Sequence, residues 1–481
     1  MIDVHQAPDP RRWKALALVC AAIFMTVVDV SIVNVAIPTI GRKLQFSSDS
    51  LQWVVTAYAL TFGGFLLLGG RAADLLGRRR VFMVGLVLFT LASLACGLAE
   101  SEGMLIAARA VQGLGAAIIS PATLSIITTT FDEGAERNKA IGIWGAMGGS
   151  GAAVGVLAGG VLTKYLGWEW IFFVNVPVGA LVLALTPRFV RESRIAVARR
   201  TYDPLGAVTV TSSLVLLVYA ISKAPDVGWG SARTILLLVA SAVLMAGFLV
   251  WETHERQPLM PLGIFRIRTV AGANVVGFLL AAVVFSNFFV LTLYVQQVLG
   301  WSALRTGVTF LATAGTVVLV AGGAQALVTR IGPKRVLALG LALTSGAMLW
   351  YAQIPVEGHY ASDLLPGYLM MGFGLALSFI PVSIAALAGV AEREAGLASG
   401  LLNTSQQIGG AIGVAVVSTL MASHTTSLLR EGVGAPEALT SGYRWAFWLL
   451  AGVGIAGVLA TLTLVRREEL AEVPVVAATG G

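Results

Sequence analysis

Apolar residues in this chain arrive in long unbroken blocks, not in alternation. Fourteen blocks can be marked, at approximately 15–38, 51–70, 81–99, 104–129, 139–162, 168–187, 204–222, 233–251, 269–298, 304–329, 334–352, 362–388, 396–421 and 443–466. Most come near about twenty residues, the helix length that crosses a hydrocarbon core of about 30 Å. No period of two runs through them, which excludes a transmembrane barrel. The pattern predicts an all-α polytopic membrane protein with fourteen transmembrane helices.

Composition agrees. Of 481 residues, 57% are hydrophobic and 12% charged, and the mean hydropathy is +0.84. A soluble domain carries about 25% charged residues on its surface. The basic residues then set an orientation. With the N-terminus placed inside, the inner segments hold 23 of the 32 Lys and Arg, the outer loops hold eight, and Arg109 lies within a span. That bias follows the positive-inside rule and predicts a multi-pass protein of the cytoplasmic membrane with both termini cytoplasmic. The net charge of +7 is thus topology, with no nucleic-acid partner.

Other chemistries fall away in turn. Cys20 and Cys96 both lie in predicted spans, so no disulfide framework or CxxC metal site is expected. The four histidines are scattered without ligand spacing. Gly-Lys occurs nowhere, so no Walker loop can bind ATP. The first block follows a short basic start and lacks a small-residue cleavage site, so it reads as a retained span.

An internal repeat organises the blocks. An offset of 255 superposes Leu76 on Ile331, Gly77 on Gly332, Arg80 on Arg335 and Val81 on Val336, in two loops that each follow a span. The same offset lays Gly145 on Gly400 and Gly155 on Gly410. Repeated halves are how transporter folds are built. The expected division is a six-helix bundle over 1–187, two inserted helices with flanking loops over 188–268, and a second six-helix bundle with a short tail over 269–481.

Six short motifs now fall in order on successive spans: VDVSIVNVAIP (28–38), WVVTAYAL (53–60), GRAADLLGRRR (70–80), RAVQGLGAA (109–117), GAAVGVLAGG (151–160) and WEWIFFVNVPVG (168–179). Over nearly the whole chain they resemble the major facilitator superfamily, in its fourteen-span drug:H⁺ antiporter branch of the EmrB/QacA type. The chain departs from that pattern at Ala72, Leu75 and Val156, where the family usually has leucine, arginine and proline. The resemblance implies a major facilitator fold of two six-helix bundles plus two inserted helices. It also implies export by alternating access, driven by a proton gradient without a cofactor.

Asp29 is the residue that composition makes conspicuous. Fifteen acidic residues fall in inner segments and nine in outer ones, leaving Asp29 the only carboxylate deep in a span. A mid-membrane charge costs roughly 2.5–3.5 kcal/mol on insertion scales, and such residues default to function. Low dielectric disfavours the charged form, so a buried acid is a natural proton carrier. Two readings stand for Asp29, proton coupling or a structural carboxylate fixed by Arg109 or by a helix N-terminus. Arg109 itself either partners Asp29 or snorkels to the outer interface. In the resembled family this arginine lies near the proton-translocation site.

The remaining motifs suggest mechanics. Gly145, Gly151, Gly155 and Gly159, with Gly160, give a small-residue surface on which helices pack closely; the family resemblance makes it a seal between bundles. In the inner-loop motif (Gly70, Asp74, Gly77, Arg78, Arg80) Asp74 can pair with an arginine and with a helix N-terminus of the other bundle, forming a gating clamp. Setting topology is the plainer role for the arginines. Candidate cavity residues are Asn34, Tyr58, Gln112, Asn287, Tyr294, Gln297, Phe379 and Gln407. Amide and aromatic walls of this kind suit small hydrophobic or amphipathic cargo. The expectation is a monomeric proton-coupled exporter of drug-like or natural-product molecules, not an enzyme. A proton symporter for nutrient uptake and a membrane-embedded enzyme or sensor are the rivals.

Overall fold

The computed structural model of the chain describes residues 11–47, 50–131, 135–193, 203–255, 258–260, 262–390 and 395–466. Within these the secondary structure is helical throughout. In chain order the α-helices are α1 (Arg12–Lys43), α2 (Trp53–Leu76), α3 (Arg78–Gly97), α4 (Glu102–Thr130), α5 (Ala135–Tyr165), α6 (Trp170–Phe173), α7 (Asn175–Phe189), α8 (Pro204–Val227) and α9 (Ala232–His254). After a 3-10 turn at Leu262–Arg266 come α10 (Arg268–Gln297), α11 (Ala303–Ile331), α12 (Pro333–Tyr351), α13 (Leu365–Leu387), α14 (Ala395–Arg430) and α15 (Ala435–Leu464).

All fourteen expected blocks fold as helices, but they do not all qualify as membrane spans. Among the described residues, twelve stretches are long and apolar enough to cross a membrane, α6 and α7 together making one. Two expected spans fall short. The block at 139–162 forms α5, of which Val154–Tyr165 stands as an apolar helix among the described residues. The block at 334–352 forms α12, which is 19 residues long and opens on Pro333, Lys334 and Arg335. Both are nonetheless helices packed within the assembly.

The loops end helices economically. Gly77 and Gly332, matched by the 255 offset, both take positive φ (113° and 85°) between consecutive helices, a conformation that glycine adopts without steric cost. Ser101 and Ser302 accept hydrogen bonds from Met104 N (3.3 Å) and Arg305 N (3.2 Å), capping α4 and α11.

Helix pairing repeats along the chain. In the first half α2 packs on α4, α1 on α5 and α7, and α3 on α4 and α7. In the second half α11 packs on α13, α10 on α14 and α15, and α12 on α13 and α15. The two halves meet where α5 touches α11, α2 touches α14 and α1 touches α10. Helices α8 and α9 pair with each other through hydrogen bonds between Ser213 and Ser241, each hydroxyl reaching the other's carbonyl at 2.8 Å. Helix α8 also lies against both α2 and α14 in a small core of Ala59, Leu60, Leu214, Val218, Ala411 and Ala415.

Between α1 and α10 and between α5 and α11, close approach is concentrated at the end of the bundle away from the N-terminus. There Gln296 donates to the Val35 carbonyl at 2.8 Å, joining α10 to α1. A Cβ built on Gly160 would lie 2.9 Å from the Ala303 carbonyl oxygen, and one on Gly307 would lie 2.6 Å from that of Val156. Nearer the N-terminal end, Gly142 and Gly145 of α5 and Gly315, Gly322 and Gly323 of α11 have open space at the same position. Contact between these helices is therefore one-ended.

Two substitutions on α5 should differ sharply. Gly155 packs on α1, where an added Cβ would stand 2.8 Å from the Val28 carbonyl oxygen. Gly155→Val should destabilise the protein by about 1–3 kcal/mol through overpacking. Gly145→Ala should leave stability unchanged or raise it by up to about 1 kcal/mol, through helix propensity. Thermal unfolding of the detergent-solubilised protein distinguishes the two, and equal losses would contradict the close α5–α1 contact at Gly155 and the open space at Gly145.

Candidate functional site: a buried carboxylate and its partners

Asp29 lies midway along α1 and is 0% exposed; Arg109 of α4 is 1% exposed. Arg109 Nη1 sits 2.5 Å from Asp29 Oδ2. The other carboxylate oxygen, Oδ1, accepts from Gln112 Nε2 at 2.7 Å and from Asn175 Nδ2 at 2.9 Å. One charge and two amides thus satisfy a carboxylate for which burial alone would be costly.

Its partners are held in turn. Arg109 donates from Nε to the Val54 carbonyl (2.9 Å) and from Nη1 to Gln112 Oε1 (2.7 Å). Its guanidinium lies over the Tyr58 ring, 4.3 Å from the centroid, adding a cation–π contact. Ser93 of α3 accepts from Gln112 (3.1 Å) and Asn175 (3.0 Å), and donates to the Phe172 carbonyl (2.9 Å). Arg109 therefore does not snorkel to an interface. Six helices, α1, α2, α3, α4, α6 and α7, supply groups to one network.

Local sequence explains the convergence. Arg109 and Gln112 are three apart and so share a face of α4. Gly113, next on that helix, lets α2 approach, and Thr61 donates to the Ala110 carbonyl at 2.8 Å. Asn175 stands where the helix breaks between α6 and α7, just ahead of Pro177. Gly151, Gly155 and Gly159 bring α5 onto the turns of α1 around Asp29, with added Cβ atoms falling about van der Waals contact or closer to Val27, Val28 and Ile32.

The other candidates do not gather at one place. Tyr58 and Gln112 belong to the Asp29 network. Tyr294 donates to the Pro355 carbonyl (2.6 Å), and Gln297 accepts from Tyr443 (2.7 Å), so both brace the end away from the N-terminus. Asn34 donates to Val30 of its own helix at 2.9 Å. Asn287 and Gln407 each bury a carbonyl oxygen with no hydrogen-bond partner, and Phe379 is exposed.

In the inner-loop motif, Gly70 packs against Pro121 and Gly77 makes the turn into α3. The Asp74 side chain lies outside the described residues. What the structure places on the α3 N-terminus is Glu192, whose carboxylate accepts from Arg79 N (3.1 Å) and Arg80 N (3.2 Å). Arg78 bonds instead to Ser193, through its backbone N–H to the carbonyl at 3.0 Å. An acid on the first amides of a helix is favoured by its dipole.

Sequence reasoning missed Ser93, Asn175 and Glu192. Asn175 carried a usable signal, an amide inside an apolar block immediately before Val-Pro. Glu192 carried none, because only the fold brings 192 beside 79.

A polytopic helical membrane protein with one buried, neutralised charge pair in its first half defines the class. Residues 19–414 match the family described as Major Facilitator Superfamily, and the chain belongs to it. Membership places it among transporters and not enzymes. The chain is 39% identical over 478 residues to a puromycin resistance protein of Streptomyces alboniger, covering 97% of this chain and 94% of that one. It is also 39% identical over 446 residues to a cephamycin export protein of Amycolatopsis lactamdurans, covering 92% and 89%. Among solved structures it is similar to the POT family transporter PepTSo, with TM-score 0.71, 14% identity and coverage of 96% and 99%. A bacterial homologue of the human lysosomal transporter Spinster, in an inward-facing unoccupied conformation, gives TM-score 0.67 at 16% identity, covering 95% and 98%.

The pair should behave as a unit. Arg109→Ala strands a buried carboxylate and should cost about 3–5 kcal/mol. Adding Asp29→Asn should recover part of that loss, whereas independent residues would give additive losses. Unfolding of the single and double variants measures the coupling.

Proposed function

We propose that the protein is a proton-coupled antiporter that exports small drug-like or natural-product molecules across the cytoplasmic membrane. The observation that carries the reading is Asp29, a carboxylate wholly buried mid-helix and tied to a guanidinium that a proton can replace. Relatives named for puromycin resistance and cephamycin export support the direction of transport and the size of cargo. The lysines and arginines support cytoplasmic termini.

Asp29 and Arg109 exclude water in the arrangement described. When the site opens to the outer face, a proton adds to Asp29 and removes its charge. The neutral acid no longer holds Arg109, so α1 and α4 can shift against each other. Opening to the cytoplasm lets the proton leave and the pair re-form, with cargo moving the other way. The one-ended packing of α5 on α11 fits the cytoplasm-open half of this cycle.

The finer architecture belongs to the same reading. Helices α5 and α12 pack between qualifying spans, which supports counting them as the thirteenth and fourteenth and assigning the chain to the fourteen-span drug:H⁺ branch. The division at 187 and 268 then gives two six-helix halves around the α8–α9 pair. In this reading Gly160 seats α5 on α11 of the other half while Gly151, Gly155 and Gly159 hold α5 on α1, the Gly70–Arg80 segment around the Gly77 turn forms the gate, and the protein works as a monomer without a cofactor.

Asp29→Asn keeps the side-chain shape and removes the titration. Uphill export in inverted vesicles should fall to background while downhill exchange persists, and a pH-sensitive dye inside should register no substrate-induced proton movement. Continued proton release by this variant places coupling elsewhere. A susceptibility panel that includes puromycin, in a host stripped of efflux pumps, tests the cargo class.

A further inference from the structure

A pair of acids is buried where α8 begins and α9 ends. Asp203, which caps α8, and Glu252, near the end of α9, are each 3% exposed. Asp203 Oδ1 accepts from Gly206 N at 2.8 Å and from Trp251 Nε1 at 2.9 Å. Glu252 Oε2 accepts from Met260 N at 2.9 Å, fastening the connector that leads on to α10. The remaining oxygens, Asp203 Oδ2 and Glu252 Oε1, are buried without a hydrogen-bond donor.

These two orphans turn toward each other over Gly206. A Cβ built there would lie 2.8 Å from Asp203 Cγ and 2.9 Å from Glu252 Oε1. Ionised carboxylates only accept hydrogen bonds, and two cannot face each other in a dry interior unless one carries a hydrogen. Among the described residues no basic group intervenes. Asp203 is the charged group that acts on Glu252. His254 turns its ring to Thr253 and to the Val250 carbonyl. On the neighbouring elements, α2 carries Arg71 and Asp74, whose side chain lies outside the described residues, Glu255 follows α9, Arg266 ends the 3-10 turn, and Arg268 reaches the Thr463 carbonyl. The facing stretch of α14 carries no charge before His424.

We propose that Asp203 and Glu252 form a second proton-binding site, separate from Asp29, that holds one proton between Asp203 Oδ2 and Glu252 Oε1. On deprotonation the carboxylic O–H bond breaks and the proton passes to water at the N-terminal end of the bundle. Two negative charges then face each other, and their repulsion frees Met260 from Glu252. The protonated pair clamps the connector at low pH, and the clamp loosens as pH rises. The ligand is a proton, and the device reports on the pH at that end of the protein.

The test uses the full chain in nanodiscs and carries Asp29→Asn throughout, so that its outcome is independent of the coupling site. Infrared pH-difference spectra should show a protonated-carboxyl C=O band that titrates. Glu252→Gln and, separately, Asp203→Asn should remove it, since each replaces the shared proton with an amide hydrogen. Exchange of the Met260 amide, corrected for its intrinsic pH dependence, should quicken with pH in the parent and stay slow in Glu252→Gln. A band that survives both substitutions, or Met260 exchange indifferent to pH, overturns the proposal. Should added sodium or calcium at fixed pH abolish the band, the site takes a metal cation and the proton assignment is wrong.

Discussion

A carboxylate and a guanidinium inside a protein are tolerable only together, because either alone would keep the full cost of leaving water. That constraint organises the first half of this molecule. Asp29 must be reached by Arg109, so α1 and α4 are fixed in register. The second oxygen of Asp29 must also be satisfied, which brings in Gln112 and Asn175 and so α7. Arg109 has further donors to place, and one finds the Val54 carbonyl of α2. Glycines on α5 complete the enclosure by letting a whole helix lie against the turns of α1 that carry the acid.

The second half repeats the helix pairing and omits the charges. Val284 and Leu364 stand at the positions offset by 255 from Asp29 and Arg109. In their place this half buries aromatic rings, among them Tyr351 against Tyr368 and Phe447. Equivalent helices in the two halves therefore meet through different chemistry, an ion pair with its amides in one and packed aromatic rings in the other.

Much of this was legible in the residues themselves. Block length and charge bias identified a membrane protein, and Asp29 stood out because no other acid lay deep in a span. The Asp29–Arg109 pairing was one of two open readings, and the distance between the side chains decided it. Every expected block forms a helix, but the Pro-Lys-Arg start of α12 keeps that helix from qualifying as a span. The candidate cavity residues were chosen by type and helix, and the fold does not gather them at one place. Tyr294 and Gln297 brace helix ends, since such groups in an apolar medium take the nearest hydrogen-bonding partner. Glu192 illustrates the remaining limit, because a cap supplied from more than a hundred residues away has no local pattern.

Helix α8, lying across α2 and α14, has a geometric consequence for the surrounding lipid. The two halves meet along two flanks, one where α2 touches α14 and one where α5 touches α11. The first is roofed by α8 and α9, and the second has no such cover among the described residues. Acyl chains therefore border the two flanks unequally. A compound dissolved in the bilayer encounters a molecule with a shuttered side and a bare side, so the added hairpin breaks the twofold likeness of the halves in the membrane plane.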